Sequence, residues 1–262
     1  MTNLQYSVIG GALLLFMVLY FGCETKPPGQ QQVEQTRMLQ TEATDVNILI
    51  REAHDELPAD QMSTIQALQQ ELTLADSDSL KVEVLKQISG RWYENEYPAI
   101  AGHYAQEIAE LEASEKAWSI AGTTYAICVQ RAESDKVRTF CNQRAIRAFE
   151  NAISLDPNNV TNQVNLALTY TEIPPPNEPM KGILMLRELE QSFPESPLVL
   201  TSLARLAIRT GQFERAIQRL NQALELESDN LNAICLLAQA YAGAGDQAQA
   251  QAYDERCRNN AK

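Results

Sequence analysis

Few side chains in this 262-residue sequence have the chemistry to act on a substrate, and those few are scattered. His54 and His103 are its two near-neutral bases, and they fall in separate helical segments. His54 reads as the polar side of an amphipathic helix, and His103, beside Tyr104, as a surface or interface residue. Glu107, Glu110 and Glu112 read as a charged helix face. No zinc-type Cys/His spacing, Gly-rich phosphate loop or nucleophile elbow occurs. The five cysteines include no Cys-x-x-Cys pair, which argues against a metal site. Arg205 and Arg209 are a different case. Four residues apart, they share one side of a helix and suit a partner's carboxylate, which guanidinium grips with two hydrogen bonds. A plain solvated basic face explains the pair equally well. The expectation is therefore a non-catalytic chain with no cofactor, whose function lies in binding.

Charge narrows the partners. The chain carries 34 acidic and 21 basic residues, net −13, and so repels phosphate backbones; no nucleic acid is expected. An apolar share of 45% suffices for a packed core. The first 23 residues hold no charge, and Tyr6 to Cys23 form an 18-residue apolar run, long enough as a helix to span roughly 27 Å. Residues 1–23 are expected to be a transmembrane signal anchor. In the alternative, Gly22-Cys23 resembles the end of a lipobox and Cys23 is acylated as the mature N-terminus of a lipoprotein, although Tyr20 and Phe21 depart from that pattern and no basic n-region precedes the run. Lys26 and Arg37 on the C-terminal flank, taken literally, put the rest of the chain in the cytoplasm, whereas a lipoprotein would carry it outside the inner membrane. The sequence leaves the side open.

Residues 24–32 (ETKPPGQQQ) read as a linker. Leu39, Ala43, Val46, Ile50, Ala53 and Leu57 then step by four and three along one helical stripe that stops before Pro58. Met62, Ile65, Leu68 and Leu72 begin a second helix, with Asp60 as its expected N-cap. The two are expected to pair as a hairpin over residues 33–81 that caps the remainder of the chain. Self-association through the 33–57 helix is the alternative.

From residue 82 onward the chain repeats itself, in units of about 82–115, 115–159, 160–196, 197–230 and 231–262. The 34-residue unit 197–230 places Leu200, Leu203 and Ala204 on a first helix, Gly211 and Phe213 at a turn, and Ala216, Leu220 and Ala223 on a second. Unit 115–159 repeats this with Trp118, Ala121, Gly122 and Tyr125, then Ala145, Phe149, Ala152 and Pro157. The spacing from Trp118 to Ala145 is 27 residues against 16 from Leu200 to Ala216, an insertion of 11 in the helices or their loop. In unit 160–196 the extra residues fall at Pro174-Pro175-Pro176, which cannot be helical. This pattern of bulky, small and aromatic positions with a 34-residue period resembles the tetratricopeptide repeat (TPR).

The resemblance implies an all-α, right-handed superhelical solenoid of helical hairpins, preceded here by the N-terminal transmembrane or signal helix. It further implies a concave groove lined by the exposed side of each first helix. The residues so placed are Lys86, Tyr93, Lys116, Ser119, Thr123, Thr161, Leu168, Thr201, Arg205, Arg209, Asn232 and Gln239. The Lys/Asn clamp that some TPR domains close on a C-terminal carboxylate is missing, since Gly90 and Leu198 stand where polar residues are expected. The implied partner is an unidentified protein or peptide, with the membrane as a second contact through the N-terminal segment. Cys128 and Cys141 would flank the inner end of the lengthened hairpin, one on each helix, and are expected to form a disulfide in an oxidising compartment. Cys235 and Cys257 read as small buried residues.

Overall fold

The computed structural model describes residues 45–260, and among them there are twelve helices and no strand. The expected anchor at 1–23, the linker at 24–32 and the start of the first amphipathic helix lie outside the described residues. No helix within them is long and apolar enough to cross a membrane.

The helices are α1 (Val46–Glu56), α2 (Ala59–Leu74), α3 (Asp78–Glu94), α4 (Pro98–Glu112), α5 (Glu115–Arg131), α6 (Asp135–Leu155), α7 (Val160–Glu172), α8 (Lys181–Ser192), α9 (Pro197–Arg209), α10 (Phe213–Leu226), α11 (Leu231–Ala244) and α12 (Gln247–Asn260). From α3 onward they form five consecutive hairpins, and each second helix packs on the first helix of the next hairpin. Every first helix of these hairpins starts at a Ser or Asn whose side chain accepts a hydrogen bond from the amide three residues on. These are Ser77, Ser114, Asn159, Ser196 and Asn230. Each cap satisfies one of the four amides that a helix N-terminus leaves without an intrahelical partner.

The large repeat residues are the core. Trp92, Tyr125, Phe149, Leu200, Leu220 and Leu237 are fully buried between helices, each removing apolar area worth roughly 25 cal/mol per Å². Close approach explains the small residues opposite them. A Cβ added to Gly102 would stand 2.7 Å from the Tyr125 ring, and one added to Gly122 would stand 2.7 Å from that of Phe149.

The insertion in the second hairpin is wholly helical. Helix α5 has 17 residues and α6 has 21, against 13 and 14 in α9 and α10, while both connecting turns span three residues. Cys128 and Cys141 are joined across this lengthened pair with their Cα atoms 6.0 Å apart, next to Tyr125 and Phe140 stacked edge-on at 6.3 Å. The loop 173–180 with its three prolines separates α7 from α8.

Two N-terminal expectations change. Helix α1 does not pair chiefly with α2; it lies against α4, while α2 packs on α3. Its amphipathic stripe predicts a buried face without specifying the neighbour, and Leu49 and Ala53 lie with the apolar start of α4 at Ala99 and Ile100. Asp60 lies in the first turn of α2, where its carbonyl accepts from Ser63 and Thr64; Pro58 holds the cap position. At the other end Cys235 and Cys257 are not isolated thiols. A disulfide joins them between α11 and α12, Cα atoms 5.0 Å apart.

Candidate functional site

The first helices α5, α7, α9 and α11 pack directly on one another, but α3 and α5 make no comparable contact. Between those two lies a groove of about 700 Å³ with α4 as its floor. Helix α3 contributes Lys86, Ser89, Gly90 and Tyr93 to it, and α5 contributes Lys116, Ala117, Ile120, Thr124 and Ile127. Ala105, Ile108 and Glu112 come from α4. The spacing on α5 places Lys116, Ile120, Thr124 and Ile127 on one helical stripe. Ile120 is 52% exposed and Tyr93 39%, so both present apolar surface to the groove. The groove is fixed from behind, where the Ser89 hydroxyl donates to the Ala101 carbonyl at 2.9 Å. Lys86 meets Glu112 at 2.8 Å at one end, and the Arg131 guanidinium stands over the Tyr93 ring at 6.0 Å at the other.

Three of the residues expected to line a groove, Lys86, Tyr93 and Lys116, do line this one. Ser119 and Thr123 fall one position off the stripe, and Thr123 donates its hydroxyl to the Ser119 carbonyl at 2.8 Å. Thr161 on α7 is exposed and Leu168 half-buried. Thr201 departs most from expectation. It is 1% exposed, and its hydroxyl donates to the carbonyls of Pro197 and Leu198 in its own helix, which removes it from the surface.

The arginine pair is exposed but occupied. Arg209 donates to Glu172 of α7 at 2.8 Å, with Arg138 of α6 at 3.9 Å on the other carboxylate oxygen. Arg205 donates to Asn232 of α11 at 3.2 Å. These side chains fasten neighbouring first helices together and leave little for an external carboxylate; Gln239 lies exposed beyond them on α11. Nine of the twelve residues that line the groove, Ile120 and Gly90 among them, were missed by sequence reasoning. Ile120 was detectable as an apolar side chain off the core stripe of Trp118, Ala121, Tyr125 and Cys128.

Among the described residues the two histidines lie on different helices with separate partners. His54 on α1 contacts Gln66 at 3.3 Å, and His103 on α4 contacts Glu107 at 3.1 Å. Among the described residues no group of His, Cys, Asp and Glu is placed to hold a metal ion. The Tyr125 phenol is pushed up to about 12 by burial, only partly offset by the Arg144 charge, and its hydroxyl donates to Gln106 at 3.3 Å.

Residues 207–245, from the end of α9 into the C-cap of α11, match the family described as TPR repeat. No curated protein matches the chain significantly. Among solved structures, a MamA fragment from Desulfovibrio magneticus RS-1 is 17% identical with a TM-score of 0.44, covering 68% of this chain and 94% of that one. PilW, described as a widely conserved type IV pilus biogenesis factor, is 16% identical with a TM-score of 0.48, over 69% of this chain and 77% of its own. YrrB, described as a TPR protein with an unusual peptide-binding site, is 12% identical with a TM-score of 0.39, over 68% and 84%. All three likenesses fall below a TM-score of 0.5 and carry no argument about function.

Proposed function

We propose that this chain is a membrane-attached, non-catalytic TPR scaffold that holds another protein against its first-helix face. The observation that carries the reading is the open groove between α3 and α5, cut into an array whose other first helices are sealed together. A repeat whose core residues are all used in stacking has its exposed helix faces left for binding. Groove-directed photo-crosslinking tests it: a crosslinker placed at Ile120 or Thr124 in cells should give discrete protein adducts, while one at exposed Glu188 of α8 should not. Equal labelling at the three positions would refute the scaffold reading.

Membrane attachment rests on the apolar run Tyr6 to Cys23. Cysteine chemistry supports one side. Four of the five cysteines pair within hairpins, and disulfides persist in oxidising compartments, which favours an array outside the cytoplasm. This reading leaves Cys23 as the odd thiol, available for acylation in the lipoprotein alternative. Intact mass of membrane-extracted protein decides the anchor: a full-length mass means a retained span, and a mass starting at Cys23 with acyl chains means a lipoprotein.

A further inference from the structure

The two halves of the first-helix face differ in what they leave unsatisfied. In the C-terminal half Arg205, Arg209, Glu172 and Asn232 bond to one another across neighbouring helices. In the groove between α3 and α5 the two ends differ, although a cation, Arg131, also stands over the Tyr93 ring at the more apolar one. Lys86, Glu112 and Lys116 gather at one end, and Tyr93 and Ile127 stand at the other, with Ile120 exposed between. Among the described residues Lys116 makes no ion pair, and it sits in the first turn of α5, where the helix dipole disfavours a cation. The two lysines against one glutamate leave this end cationic in a chain of net charge −13.

Gly90 is the second observation. A glycine inside a helix weakens it, and helical glycines elsewhere in the array have a packing reason: an added Cβ would strike Tyr125 from Gly102, Phe149 from Gly122, and the α7 backbone from Gly182. A Cβ on Gly90 would meet nothing within 4 Å. The core does not need this glycine; it leaves the middle of the groove free of side chain.

We propose that this groove takes a segment of another polypeptide that is acidic at one end and apolar along the rest. Its carboxylates sit at Lys116, the groove lysine that Glu112 does not already hold, its backbone or a bulky side chain passes over Gly90, and its apolar residues lie on Ile120, Ile127 and Tyr93. The α5 stripe from Lys116 to Ile127 extends roughly 16 Å, about three helical turns, which matches an amphipathic helix laid into a groove. The assignment rests on the scaffold reading and deepens it by fixing where the partner binds and its charge.

The test uses the full-length chain in a lipid nanodisc as bait for a displayed library of random 16-residue peptides. Fluorescence anisotropy then measures the enriched peptides and their charge-reversed versions. Acidic, apolar peptides should be enriched, with charge reversal weakening them tenfold or more. Gly90→Leu should weaken them at least tenfold with no fall in thermal midpoint, because leucine is the better helix former and its Cβ meets nothing within 4 Å. Lys116→Glu should shift preference toward the reversed peptides. Enrichment of basic peptides, or affinity unchanged in both variants, overturns the proposal. Loss of binding in Arg209→Glu with full binding in Gly90→Leu overturns this placement while leaving the scaffold reading intact. If no peptide is enriched and the Ile120 crosslinker also labels nothing, both readings fall. Self-association in sedimentation that Gly90→Leu abolishes would give the groove to a second copy and overturn the proposal.

Discussion

Helix α12 is held to α11 by a disulfide and by packing that buries few of its side chains. Of its 14 residues only Ala250 is buried. Tyr253 stacks on Tyr241 at 5.6 Å, a contact worth roughly 0.5–1.5 kcal/mol, and Arg256 donates to the Ser228 carbonyl at 2.6 Å, a charged hydrogen bond worth roughly 1.5–3 kcal/mol before solvent exposure weakens it. Asp254 occupies the position where earlier units place a bulky residue, which gives the array a wet end. A helix this short is marginal on its own in water. The Cys235–Cys257 bond spans 22 residues, and removing such a cross-link relaxes the open chain by about 3 kcal/mol from loop-closure entropy. At 1.4 kcal/mol per factor of ten, that is roughly a hundredfold in the opening equilibrium. Replacing Cys235 and Cys257 together by Ser should therefore speed amide exchange across Gln247–Asn260 by about a hundredfold, read by hydrogen-exchange mass spectrometry. Amides in α9 and α10 should be unchanged. Exchange in α12 within about threefold of the parent would refute the reasoning and show that noncovalent docking holds the helix.

Gly122→Ala should destabilise by about 1–3 kcal/mol, because the new Cβ meets the fully buried Phe149 ring; thermal melts should show a midpoint several degrees lower. Arg209→Ala breaks a bond to Glu172 in which the arginine side chain is 52% exposed, so stability should change by less than about 1 kcal/mol in urea unfolding. Because the folded Tyr125 phenol is raised above the ordinary tyrosine value, its contribution is fully present below pH 10 and fades as pH rises toward about 12. Denaturant melts at pH 9 and pH 11 should differ in that direction, with a smaller difference in Tyr125→Phe. Alkylation of unreduced, denatured full chain should modify at most one cysteine, Cys23, against five after reduction in an unacylated protein.

The hairpin boundaries were legible because they are written twice, in the apolar spacing and in turn chemistry. Each first helix from Asp78 onward follows a Ser or Asn cap, and at Ser77 that cap starts the first hairpin four residues ahead of residue 82, where the loose apolar pattern had put it. Pro174-Pro175-Pro176 marked its loop for a purely local reason. What failed were relations between elements. Amphipathicity showed that α1 hides a face but not that α4 covers it. Thr201 has the polarity of a surface residue, yet a threonine that bonds to its own helix can be buried at little loss. Cys235 and Cys257 lie 22 residues apart with no local motif, so only the antiparallel return of α12 reveals their pairing. For the groove, the small error of one residue along α5 mattered, since it turns a side chain about 100° around the helix and exchanges Ile120 for Ser119.

The lengthened α5–α6 pair has a further consequence. Relative to α9 and α10 it has gained four residues in one helix and seven in the other, and at 3.6 residues per turn these are close to one and two complete turns. Insertions of that size restore the angular position of everything beyond them, so the inherited stacking of Trp118, Gly122 and Phe149 survives while the tip extends. The array thus tolerates growth in quanta. An engineer adding seven residues to each arm beyond the Cys128–Cys141 bond would extend a ready-made peg for a second binding function without rephasing the stack, whereas adding two would rotate each arm's tip by about 200° and set polar faces against each other.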